Sequence, residues 1–117
     1  MSRECKCGML GMRFSDLLER TEYFVKQAKT GDMPKQDRSF IANMLLRDMS
    51  QVINGMDEHC EGIGLSKRTI NDDIQELKGV LNKSEGKLTY PDSAKVNNLL
   101  LKLEQSVIPS MRYCATD

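Results

Sequence analysis

Apolar residues recur along this chain at the three- and four-residue spacing of an α-helix, in four blocks divided by glycine, proline and polar stretches. In the first block Phe14, Leu17, Leu18, Phe24, Val25 and Ala28 fall on one stripe, with Ser15 placed to cap the start and Gly31 to stop it. Pro34 opens the second block, its fixed φ suiting a first helical turn. There Phe40, Ile41, Met44, Leu45, Met49, Val52, Ile53 and Met56 spread over more than half the circumference. That breadth predicts a central helix that touches several neighbours.

The stretch Glu61-Gly62-Ile63-Gly64-Leu65 carries two glycines within three residues, which favours a break. Ser66 then caps a third helix with a narrow stripe of Ile70, Ile74, Leu77 and Leu81. Lys83 to Tyr90, with Gly86 inside it, reads as a polar loop. Pro91 starts a fourth helix, with Asp92 and Ser93 in its first turn and Val96, Leu99, Leu100, Leu103, Val107 and Met111 on one face. Leu101 and Ile108 lie roughly 120–140° from Val96 on the helical wheel, so they form a second apolar ridge that needs burial or a partner. Pro109 is expected to end or kink this helix near its last turn.

No strand-type alternation, internal repeat or low-complexity tract competes with four helices. Short connections favour antiparallel neighbours. The expected fold is therefore all-α, an antiparallel four-helix bundle, with residues 1–117 as one domain and residues 1–11 a flexible or zinc-anchored leading segment.

Composition agrees with a packed domain: 117 residues, 39% hydrophobic and 29% charged. Trp is absent and aromatics are 5%, so Leu, Ile, Val and eight Met must fill the interior. Methionine in this setting is more often core filler than binding surface. Net charge is zero, with nine Lys/Arg against nine Asp/Glu in residues 1–58 and eight against eight in residues 59–117. A protein that grips phosphates usually carries a basic stripe or tail, so non-specific polyanion binding is disfavoured. The start, Met1-Ser2-Arg3-Glu4-Cys5-Lys6-Cys7, lacks the apolar stretch of a signal peptide, and no apolar run approaches the roughly 20 residues of a membrane span. A cytoplasmic protein without a membrane partner is expected. In that reducing location its four Cys serve as thiols or metal ligands before they serve as structural disulfides.

The bundle topology gives the cysteines a common place. Cys5 and Cys7 precede the first helix, His59 and Cys60 close the second, and Cys114 follows the fourth. In an antiparallel bundle all three segments lie at one end. Four thiolates, or three with His59, could form a closed tetrahedral zinc site that ties both chain ends to the central turn. Cys-x-Cys is less diagnostic than paired Cys-x-x-Cys, and Cys60 also suits a small buried position at a helix end. Nucleophilic catalysis by one of these thiols lacks support, since His59 and Cys60 are neighbours in sequence, which does not bring their side chains together.

Other chemistry is weaker still. A di-iron carboxylate bundle needs Glu-x-x-His on two helices, and the chain has one His. No Gly-x-Gly-x-x-Gly, Walker-type loop or Gly-x-Ser-x-Gly occurs. Asp72 and Asp73 point about 100° apart on a helix, which suits a solvated face better than a catalytic pair.

One short segment carries a resemblance. Gly64-Leu65-Ser66-Lys67-Arg68-Thr69-Ile70-Asn71-Asp72-Asp73-Ile74 is similar to the recognition helix of DeoR-type winged-helix repressors, in which a Gly-apolar-Ser turn precedes Thr-Ile-x-x-Asp-Ile. Cys60 and Ile63 stand where that pattern wants a small and an apolar residue. The resemblance implies that Lys67, Arg68, Thr69 and Asn71 face a DNA major groove. It departs at His59, where the pattern is usually apolar, at Gly62, and in the lack of a following wing with strand character. A capped amphipathic helix in a bundle explains Ile70, Ile74 and Leu77 equally well.

The reading that results is a non-catalytic interaction protein, not an enzyme and with no small-molecule substrate expected. It would bind a protein partner or form a homodimer through the ridge of Leu101 and Ile108, with a structural zinc on Cys5, Cys7, His59, Cys60 and Cys114 as an added element. The alternative is a small helix-turn-helix transcriptional regulator that binds DNA through helix three.

Overall fold

The computed structural model describes residues 6–30, 34–59, 63–83 and 88–111, with side chains placed for 7–28, 34, 36–58, 67–82 and 88–107. These residues form four helices: α1 (Lys6–Thr30), α2 (Lys35–His59), α3 (Ile63–Lys83) and α4 (Tyr90–Met111). Each follows from an apolar stripe at helical period. Phe14, Leu17, Leu18, Phe24, Val25 and Ala28 of α1 are buried, as are Ile70, Ile74, Leu77 and Leu81 of α3. On α4 the buried set is Val96, Leu99, Leu100, Leu103 and Val107. All of them join one continuous hydrophobic core.

The helices run antiparallel in sequence order. Leu10, near the start of α1, lies against Gly55, near the end of α2. Lys67 at the start of α3 reaches Asp57 at the end of α2, with Nζ 3.0 Å from Oδ2, and Asn82 near the end of α3 donates to Asn43 near the start of α2 at 3.2 Å. Lys95 in the early turns of α4 pairs with Glu76 of α3 at 3.3 Å. Contacts join α1 to α2, α2 to α3, α3 to α4 and α4 back to α1, and the two diagonals make none. The result is a closed square ring of helices with overall dimensions of 51 × 24 × 17 Å.

Local chemistry sets the helix starts. The Thr89 hydroxyl accepts the backbone N–H of Asp92 at 3.3 Å, and the Ser93 N–H bonds the Thr89 carbonyl at 3.0 Å. Thr89 is thus the N-cap of α4, and Pro91 sits inside the first turn, where no N–H is needed. On α2 the Arg38 N–H bonds the Pro34 carbonyl at 3.0 Å, so the helix begins directly after the proline. The Thr21 hydroxyl, wholly buried in α1, donates to the Leu17 carbonyl at 2.8 Å and so needs no partner elsewhere.

Three sequence expectations are corrected. The first helix begins at Lys6, well before Ser15, because Cys7, Gly11, Phe14, Leu18 and Val25 continue one buried stripe toward the N-terminus. Ser15 is therefore interior to α1 and caps nothing. The third helix begins at Ile63, so Gly64 lies within its first turn and Ser66 is interior to the helix. The fourth runs to Met111, with Pro109 in its last described turn. Finally, α2 is not central: it touches α1 and α3 only, with Phe40 (70% exposed) and Met44 facing outward. Ala42, Leu46 and Arg38, which is buried with its head group included, take the inner positions beside Leu45, Met49, Val52, Ile53 and Met56.

Candidate interaction groove

Where α1 meets α4, the outer seam is lined by Ser15, Glu19 and Glu22 on one helix and by Asn97, Leu101 and Glu104 on the other. Within each helix these positions are spaced by three or four residues, so each row stacks on one face along two turns. Polar and short side chains there cannot interdigitate across the seam. It stays open as a groove of about 310 Å³, with Leu18 and Leu100 as its floor. Both floor residues are buried, while Leu101 on the wall is 53% exposed. Apolar surface therefore continues from the core, through the floor, to a wall that meets solvent.

The charge of this groove is one-sided. Glu19, Glu22 and Glu104 line it, and among the described residues no Lys or Arg does. None of the three carboxylates has an ion pair among the described residues. Arg20 of α1 is engaged on the outer surface, its Nε 2.9 Å from Asp16 Oδ2. A second, smaller groove of about 120 Å³ lies on the opposite side of the ring, between α2 and α3. Arg47 and Lys78 line it over a floor of Leu46 and Ile74, so its charge is of the other sign.

Leu101 thus stands where the second apolar ridge of α4 was expected, at a solvent-facing wall. The side chain of Ile108 lies outside the described residues. The four residues of the winged-helix resemblance do not share a face. Lys67 and Asn71 are half-buried on the side toward α2, and Lys67 is held by Asp57. Arg68 and Thr69 are exposed, with Thr69 about 200° round the helix from Lys67 at 100° per residue. The 21-residue α3 lies along α2 rather than across it.

Of the proposed zinc ligands, Cys5, Cys60 and Cys114 lie outside the described residues, as does the side chain of His59. Cys7 is described: it is buried, 3% exposed, and disulfide-bonded. Its sulfur is no thiolate while that bond is intact, and so has no lone pair of the kind that binds zinc tightly. Among the described residues no group of three or more His, Cys, Asp and Glu is placed to hold a metal ion. No helix is long and apolar enough to cross a membrane, again among the described residues.

The groove was legible in part. Sequence periodicity marked Leu101, but it gave no sign of Glu19, Glu22 and Glu104 as one cluster, because they come from two helices whose facing rows are known only once α1 and α4 are paired. Fold and groove together define a four-helix bundle with an acid-rimmed apolar cleft along one edge. Comparison of the chain with family models, with curated proteins and with solved structures finds no match.

Proposed function

We propose that this chain is a non-catalytic interaction protein that docks a helix of a partner protein in the α1/α4 groove. The observation that carries this reading is the exposed Leu101 wall above the buried floor of Leu18 and Leu100. A lone exposed leucine is ordinary on a protein surface. One that extends a groove already floored by core leucines is the form in which amphipathic helices are received, with anchors at i, i+3 or i+4, and i+7. The groove spans seven to eight positions on each helix, about 10 Å of helix axis at 1.5 Å per residue, which matches two turns of a docked helix.

A display library of amphipathic helical peptides tests this. Peptides selected on the wild-type chain should lose binding to Leu101→Lys, which puts a charge on the wall, and retain it on Phe40→Ser, which alters an exposed apolar residue elsewhere. Peptides that ignore Leu101 and depend on Phe40 would move the docking site to α2 and end this reading.

A further inference from the structure

Resting on the docking reading of the groove, we infer that its occupant is a basic amphipathic helix: an apolar stripe flanked on both sides by Lys or Arg. The walls dictate this. Glu19 and Glu22 stand on the α1 side and Glu104 on the α4 side of the floor formed by Leu18 and Leu100. A purely apolar occupant would cover these carboxylates and strip their water without replacing it, which is costly for any ionised group. An acidic helix would add like-charge repulsion to that cost. A cationic side chain on each flank replaces the lost water with a charge-assisted hydrogen bond, while leucine-sized residues between them meet the floor and Leu101. The same carboxylates repel phosphate, so this face is closed to nucleic acid.

The surface of a second copy fits less well. Its basic groove, with Arg47 and Lys78, is itself concave and cannot fill another concavity. The exposed apolar pair on its α2, Phe40 and Met44, is flanked by Asp37 and Asp48 as well as by Arg47. The occupant is thus inferred to be a helix of another protein, with cations on both sides of its apolar stripe.

Two synthetic peptides with the same leucine face test the inference on the full chain by fluorescence anisotropy, one flanked by Lys and Arg, the other by Glu. The expected result is a preference of about tenfold or more for the basic peptide, shrinking at high salt as partly exposed ion pairs are screened. The triple variant Glu19→Lys, Glu22→Lys, Glu104→Lys should reverse that preference while keeping its helical circular dichroism. The milder Glu104→Gln, which leaves the fold unburdened, should weaken the basic peptide by about threefold, the loss of one rim pair. Equal binding of both peptides to the wild type, lost in Leu101→Lys, would overturn the charge selection and leave the docking groove standing. Binding of neither would overturn both. Light scattering that shows a dimer broken by Leu101→Lys would make the second copy the occupant and overturn the inference in that way.

Discussion

Gly79 lies on the exposed face of α3, with nothing within 4 Å of where a β-carbon would be. Its backbone is already helical, so alanine there would gain helix propensity and meet no neighbour. Gly79→Ala should raise stability by about 0.5–1 kcal/mol, read as a higher urea midpoint with an unchanged slope. Gly55 offers no such clean gain, because a β-carbon there would come within 3.3 Å of a Leu10 methyl group. Thr89 acts in the opposite sense. Thr89→Ala removes the acceptor of the Asp92 N–H and should cost about 1 kcal/mol in the same assay. At this scale the sequence is uneven. Leu101 could be read from its angle to Val96. Phe40 and Met44 could not be read as exposed, because a broad apolar arc does not say which of its edges the neighbours will cover. Nor could the burial of Arg38, which is 3% exposed with its charged head group included.

Among the elements, α1 departs most from what periodicity predicts, and the reason is chemical. Cys7 and Gly11 are small residues that hydropathy counts weakly, yet they occupy the same buried stripe as Phe14 and Leu18. The disulfide at Cys7 pins this first turn of α1. Reduction should therefore lower the stability of the chain by a margin on the order of 2 kcal/mol, with amide exchange accelerating first in residues 6–11. Thermal unfolding with and without reductant measures it. Under non-reducing conditions a chelator should change nothing, because the Cys7 sulfur is committed to another sulfur. A structural zinc site that includes Cys7 would give the reverse pattern: sensitivity to the chelator and a mass higher by one metal ion. At the other end of the chain, Pro109 lies in the last described turn of α4. A proline so near the last turn removes one hydrogen bond, and α4 passes it by two residues.

At the scale of the whole molecule, the order of the four helices and their antiparallel sense were legible from loop lengths and stripes alone. What was not legible is which seams close. A square ring has four seams, and their character depends on rows of side chains contributed by two helices at once. The α1/α4 seam gathers carboxylates and stays open, whereas the α2/α3 seam on the opposite side gathers Arg47 and Lys78. The chain's zero net charge gives no sign of this local grouping within the two grooves. The docking proposal rests on the acidic groove.

The most direct test is a ¹⁵N–¹H correlation spectrum of the full chain, titrated with the Lys- and Arg-flanked helical peptide. The account predicts that shift changes concentrate in two stretches, residues 15–22 of α1 and 97–104 of α4, and that they vanish in Leu101→Lys. Changes centred instead on residues 43–50 and 74–78, or around Phe40 and Met44, would contradict it by placing the interaction on the other side of the bundle.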